Sequence, residues 1–423
     1  MRISTVMPSD HGGAHRWVVF GVIATVYFLV YFHRVSISVI AQELLETFAA
    51  SATSLGLMSS MYFYLYAVEQ PLVGYLADSL GPRRVIGLWS LLAAAGCFIF
   101  AVAPSIVWAS VGRALIGLGV GGVYVPAMKA FSQWFRKQEF SFITGLLMAI
   151  GNLGAVVATT PLAWLSGALG WRLSFAAIGT VTLLLVAATL TLIRDAPTIR
   201  ETGARPFPQT GGRPRGPTRR ILSSVHFWVF SATFFGIYGT FLTFQGLWAT
   251  PYLMVSLGID TLEASRITML IPIGFIVGAP FFGWLADRVF TQRILIFNGL
   301  LALETLVWIG LTFGTAALGQ TGLMVLMVMM GGGIGGFIAV LWSLMREVTP
   351  PAVFGYASGL LNPAPFLGVA VFQVWTGAIL DRFDRVGAAY PPEAYREAFL
   401  VCLLATAACL LLSIALRKRI FPA

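Results

Sequence analysis

The sequence predicts an all-α membrane protein of twelve transmembrane helices in two pseudo-symmetric six-helix bundles. Three observations predict it. Hydrophobic residues make up 58% of the 423 and charged residues only 10%, with a mean hydropathy of +0.84. A water-soluble protein needs about 25% charged residues to cover its surface. The apolar residues fall in long unbroken runs, whereas barrel strands alternate over about ten residues. The first and second halves of the chain also repeat one another. This composition excludes a cytosolic enzyme, a secreted disulfide module and a disordered scaffold.

A helix needs roughly 20 apolar residues to cross about 30 Å of hydrocarbon. Twelve runs qualify, at about 17–42, 53–77, 84–103, 105–132, 140–163, 171–193, 225–253, 264–286, 293–314, 320–345, 354–377 and 396–416. The run after Trp17 is too long for a signal-peptide core. Cys97, Cys402 and Cys409 all lie inside apolar runs. No disulfide framework, metal site or cofactor is therefore expected.

Charge sets the orientation. With both termini cytoplasmic, the cytoplasmic segments hold 19 of the 27 basic residues and the external loops only Arg172, Arg382, Arg385 and Arg396. That is a strong positive-inside bias. The net charge of +10 is thus a topology signal and not a nucleic-acid footprint. The setting this predicts is a cytoplasmic (inner) membrane, crossed many times. The partners expected are a small-molecule substrate, the lipid bilayer and protons, with the chain acting as a monomer.

The stretch 195–224 is rich in Arg, Pro and Gly. It cannot bury a core and reads as a flexible cytoplasmic linker. It divides the chain into bundles at 1–194 and 225–423. Gly74-Tyr-Leu-Ala-Asp78 recurs as Gly283-Trp-Leu-Ala-Asp287, 209 positions later. Gly117, Gly121 and Gly122 recur as Gly331, Gly335 and Gly336, and Gly145 as Gly359, at an offset of 214. Such duplicated halves suit alternating access, with the site between them.

These residues carry a resemblance. The segment 74–84, GYLADSLGPRR, resembles the signature loop of the major facilitator superfamily, with Ser79 where a basic residue is usual. The segment 283–293 is similar to its weaker second copy, and Arg113 to Gly121 is similar to the helix-4 motif. The resemblance covers all twelve helices. It implies that Gly74, Asp78, Arg83 and Arg84, with Asp287 and Arg288 in the second copy, gate the cytoplasmic side. Asp78 would cap the N-terminus of helix 11 when that side is shut. The alternative is an ordinary loop salt bridge worth roughly 0–1 kcal/mol. The helix-4 glycines read as tight packing.

Charge inside the membrane costs roughly 2.5–3.5 kcal/mol on insertion scales, so such residues are functional candidates. Tyr27, Tyr31 and Arg34 share one face of helix 1 by their spacing. Tyr62, Tyr66 and Glu69 have the same spacing in helix 2. The two faces are expected to line one polar cavity; the alternative is a buried Arg34–Glu69 structural pair. Tyr31-Phe-His-Arg34 resembles the helix-1 element of the organic-anion branch, the anion:cation symporters and organophosphate antiporters. There the arginine contacts the substrate anion, and Arg113 matches a second arginine. Two acidic positions of that branch are replaced here, by His33 and Val120. Glu69 is the substitute proton site, with His33 a further titratable group. Lys129 either binds the anion from inside or snorkels to the interface. Glu304 reads as structural. Tyr238, Gln245 and Trp248 of helix 7 and Asn362 of helix 11 form the uncharged wall, joined by Trp342, Phe366 and Gln373.

The expected activity is secondary active transport of a small organic anion, a carboxylate or phosphate ester, with proton coupling. Two rivals remain: an exporter of amphipathic compounds such as drugs or siderophores, and a transporter-like sensor of sugar phosphates. No Ser/His/Asp, paired-Cys or phosphate-loop constellation points to an enzyme.

Overall fold

The structure is a computed structural model and describes residues 13–136, 138–195, 221–289 and 292–416. Most of the expected 195–224 linker lies outside these residues. Among the described residues, twelve helices cross the molecule. They are α1 (His15–Thr47), α2 (Ala52–Leu80), α3 (Pro82–Ala101), α4 (Ile106–Trp134), α5 (140–169), α6 (171–192), α7 (Val225–Leu257), α8 (Thr261–Arg288), α9 (Arg293–Phe313), α10 (Ala317–Val348), α11 (Val353–Leu380) and α12 (Pro392–Ala415). Ten meet the length and hydropathy of a membrane span; α2 and the interrupted α5 complete the set. Among the described residues there is no strand, only an isolated bridge between Val386 and Ala389.

Local chemistry sets the helix ends. The Ser51 side chain caps α2 by accepting from Ser54 N, and Asp260 caps α8 by accepting from Glu263 N. Each satisfies an amide the helix leaves unpaired. Gly170, at φ +77°, makes the turn between α5 and α6 in a conformation that penalises any Cβ. α4 and α11 are broken mid-membrane, near Gly122 and Asn362. α7 carries a π-helical turn at Phe244–Trp248.

The repeat is visible in the packing. A Cβ at Gly117 would overlap the Tyr62 carbonyl of α2, and one at its counterpart Gly331 would overlap the Ile271 carbonyl of α8. In both halves the fourth helix reaches the second through a glycine. Without a hydrophobic force between helices in lipid, such close backbone approach supplies the dispersion contact that holds them.

The halves meet unevenly. At the end opposite the termini, Ser38 Oγ of α1 donates to Thr250 Oγ1 of α7 at 3.2 Å and accepts from Thr250 N at 3.1 Å. Asp381, just past α11, caps α2: its carboxylate accepts from Ala52 N and Thr53 N, both at 2.8 Å, from Thr53 Oγ1 at 2.5 Å and from Tyr390 Oη at 2.6 Å. Arg385 donates to the Ala50 carbonyl at 2.6 Å. At the end carrying the termini, Cβ positions at Gly74, Gly145, Gly355 and Gly359 meet no atom within 4 Å. The interface is clasped at one end and parted at the other.

The Asp381 clasp gives a pH prediction. Burial pushes this carboxyl up, but the Thr53 and Tyr390 hydroxyls and the Thr53 and Ala52 amides outweigh it and hold it below the usual range. A lowered carboxyl stabilises where it is ionised, so the clasp holds at neutral pH and is lost as pH falls below about 4. A cysteine in place of the buried Leu55 should then react with a maleimide about 5- to 10-fold faster in Asp381→Asn than in its parent. That is the scale of one charge-assisted bond at a partly wet site. The parent should approach the variant's rate only in acid; equal rates at neutral pH would contradict the clasp.

Candidate functional site

The site is built around one guanidinium. Tyr27 and Tyr31 meet edge to face along α1, ring centres 5.4 Å apart, as their spacing allows. Arg34 follows on the same face and is 5% exposed. Its guanidinium carbon lies 4.5 Å from the ring centre of Tyr31, 5.2 Å from that of Tyr66 on α2 and 5.3 Å from that of Phe366 on α11. Tyr62 and Tyr238 are close enough to interact with it electrostatically. Among the described residues no carboxylate lies within 4.0 Å of Arg34, whose Nε has no hydrogen-bond partner. Ring faces attract a cation by about 0.5–2 kcal/mol each. They soften the charge and cannot neutralise it.

Beside Arg34 a pocket opens between the halves. Tyr31, Arg34 and Asn152 wall it from the first half; Tyr238, Gln245 and Phe275 wall it from the second. Gln245 reaches it because the π-helical turn shifts the register of α7 there. Such turns are frequent at functional sites. The wall has one cation, several hydroxyls and amides, and many apolar surfaces, the usual recipe for binding and orienting a small polar ligand.

Arg113 sits behind this pocket. It is fully buried, its guanidinium carbon is 4.9 Å from the Tyr62 ring centre, and its Nη1 donates to the His33 carbonyl at 3.1 Å. Its Nε and Nη2 are unpartnered, and no described carboxylate pairs with it. Tyr62 donates to the Val30 carbonyl at 3.0 Å and lies nearly parallel to Tyr66. Tyr66 thus faces Arg34 and Tyr62 faces Arg113.

Several expected site residues lie elsewhere. Lys129 is not in the pocket: its Nζ is 2.9 Å from Asp78 Oδ1 and 2.8 Å from the Ala77 carbonyl, because the break in α4 carries it to the end of α2. His33 points into the first bundle, with Nε2 3.7 Å from Cys97 Sγ and its ring near Phe175. Trp248 is fully buried in the second half and donates to Thr376 Oγ1 at 2.8 Å. Asn362 lies at the α11 joint, half-buried and outside the pocket wall. Glu69 does not face Arg34; its Oε2 accepts from Trp89 Nε1 at 2.7 Å, inside the first bundle. The expected gate residues lie at the parted end. Arg83 N donates to Asp195 at 2.7 Å and its side chain reaches the Leu190 carbonyl, while Arg84 is exposed. Asp287 is 2.9 Å from Arg293, which also pairs with Glu347; Arg288 is exposed.

Sequence reasoning missed Asn152, Trp89 and Asp381. Asn152 carried a signal, as an amide alone in the apolar α5. Trp89 and Asp381 become partners only through other helices.

A bundle pair with a cationic pocket between its halves defines a membrane transporter. The family comparison agrees: residues 23–373 match the Major Facilitator Superfamily, and the chain belongs to it. The chain is 27% identical to a probable sulfoacetate transporter of Cupriavidus necator over 87% of this chain and 88% of that one. It is 24% identical to a hexuronate transporter of Bacillus subtilis, covering 85% and 87%. It is 26% identical to a chloroplastic sodium-dependent phosphate transport protein of Arabidopsis thaliana, covering 89% and 76%. In fold it is similar to a bacterial homolog of the human lysosomal transporter Spinster, in an inward-facing, occupied conformation. The TM-score is 0.78 at 18% identity, over 97% of this chain and 99% of that one. The family and these relatives are transporters, not enzymes, and the relatives fit the organic-anion branch.

The positions separate two lysine- and tyrosine-based expectations. Tyr66→Leu should weaken equilibrium binding of a small carboxylate about 10-fold, the loss of one desolvated cation–π contact. Lys129→Ala should leave that dissociation constant within about 2-fold. Scintillation proximity binding on purified protein reads both. A large loss in Lys129→Ala would place the lysine in the site after all.

Proposed function

We propose that this protein is a secondary active transporter of a small organic anion, coupled to protons and working by alternating access. The observation that carries the reading is Arg34: buried between the halves, boxed by three rings and without a carboxylate partner among the described residues. A bare buried cation is costly, and a bound anion supplies the missing countercharge. The sulfoacetate, hexuronate and phosphate transporters to which the chain is similar carry anions by their names. That supports a carboxylate, sulfonate or phosphate on Arg34. The uncharged second-half wall would then orient the rest of the molecule. A cavity chosen for amphipathic compounds would have no use for this uncompensated charge.

The positive-inside bias puts both termini on the cytoplasmic side of a bacterial inner membrane. The parted end is then cytoplasmic and the clasped end external, an inward-open arrangement. In this arrangement Asp78 is spent on Lys129, leaving Gly74 uncovered. Closing that end would bring α11 onto Gly74 and transfer Asp78 to its N-terminus, with Arg83 and Arg84 alongside and Asp287 and Arg288 in the pseudo-symmetric place. Glu69 is the proton site, an acid with no cation partner at mid-membrane. The bundle needs no second copy to complete the pocket, which fits a monomer.

Arg34→Ala should lower sulfoacetate or hexuronate uptake into proteoliposomes at least 100-fold, about 3 kcal/mol, with an unchanged elution profile. Arg34→Lys should recover part of binding, since it restores charge without the planar fork. Uptake near the parental rate in Arg34→Ala would sink the anion assignment.

A further inference from the structure

Glu69 is 4% exposed. One carboxyl oxygen, Oε2, is held by the Trp89 indole of α3. The other, Oε1, is buried without a hydrogen-bond partner, and a Cβ at Gly121 of α4 would overlap it. Three helices therefore wall a single carboxyl group. Tyr66, one turn along α2, is the titratable neighbour on its own helix. α3 presents Trp89 and α4 presents Gly121, neither of which titrates. No ion pair among the described residues includes Glu69.

The second half shows the same crossing without an acid. The offset of 209 that relates Gly74 to Gly283 carries Glu69 onto Gly278. A Cβ at Gly278 would overlap the Gly332 backbone of α10. Gly335, the counterpart of Gly121, lies against backbone atoms of Ala279 and Phe275. There the glycines bring two helices into contact. In the first half Gly121 leaves space for a carboxyl group instead. In the second half the buried acid sits on α9 instead: Glu304, also with an unpartnered Oε1, meets Gly333 of α10.

We infer that Trp89 and Gly121 are positioning residues of the coupling site: Gly121 leaves the space and Trp89 anchors one oxygen, so that Glu69 takes up and releases its proton on Oε1 inside the first bundle, apart from Arg34. The inference rests on reading Glu69 as the proton site. The step is a simple protonation: Oε1 takes a proton from hydronium to give the neutral acid, and on release the proton returns to water as hydronium. Tyr66 links this site to the substrate pocket, since its ring contacts Arg34 and Phe366 and it stands one turn from Glu69. An anion on Arg34 that shifts the Tyr66 ring backing the guanidinium would be felt one turn away at the acid.

The test is uptake of radiolabelled sulfoacetate and of a hexuronate into proteoliposomes under imposed pH gradients, with counterflow at acid pH as a coupling-free control. Trp89→Phe keeps a ring and removes the donor. A donor to the ionised form favours it, so its loss should move the pH of half-maximal uptake about one unit toward alkaline while counterflow stays within 2-fold. In a Glu69→Gln background the same substitution should change nothing further. Gly121→Ala should abolish gradient-driven accumulation and leave counterflow, by displacing the carboxyl group; it is an independent variant if Trp89→Phe does not fold. An unchanged pH profile in Trp89→Phe, or full accumulation in a folded Gly121→Ala, overturns the positioning role. Accumulation that survives Glu69→Gln overturns the proton reading itself, a distinguishable failure.

Discussion

A guanidinium buried between two bundles, with no carboxylate among the described residues to answer it, sets the terms for the rest of this structure. Arg34 is tolerated because three ring faces surround it and because a pocket lies beside it. Rings and space make the charge bearable without neutralising it. On the function proposed here, a ligand of the opposite sign would supply the missing countercharge. The guanidinium lies at the boundary between the halves, where Tyr31 and Tyr66 belong to one bundle and Phe366 to the other. A ligand there touches both bundles at once. This is the position from which binding energy can bias one arrangement of the halves over another.

The ends of the molecule are organised around that centre by paired helix caps. At the clasped end Asp381, from α11, caps the start of α2. At the parted end Asp78 closes α2 itself, with α11 beginning across the gap. The same two helices thus carry a carboxylate at opposite ends, each suited to the other's N-terminus. Only one is engaged here, while Asp78 rests on Lys129. Each cap is a modest interaction near the surface, worth about 1 kcal/mol. Modest locks fit a carrier, since a deep minimum at either end would trap it.

Much of this was legible in the sequence. Low charge, long apolar runs and repeated glycines specify twelve helices in two halves, because lipid leaves the backbone few other choices. The Tyr31–Arg34 face was legible because it lies on one helix. Glu69 was placed on the Arg34 face by its spacing from the tyrosines, and the structure turns it away. At about 100° per residue, Glu69 lies close to the azimuth of Tyr62 and about 60° from that of Tyr66. Tyr62 packs against Gly117 of α4, and seven residues on Glu69 meets Gly121 of the same helix. Tyr66 is the residue that faces Arg34. Lys129 shows the same limit: periodicity fixes a face, and only packing fixes its neighbour. Asp381 looks like any loop-edge acid until α2 is laid beside it.

On the proposed function, the pocket at Arg34 reads negative charge. The most direct measurement is calorimetric binding to the purified protein of a hexuronate and of the neutral hexose that differs from it only at the carboxylate. The hexuronate should bind, and the hexose should bind at least 100-fold more weakly or not at all, because it leaves the guanidinium unanswered. Equal affinities for the two sugars would contradict that function.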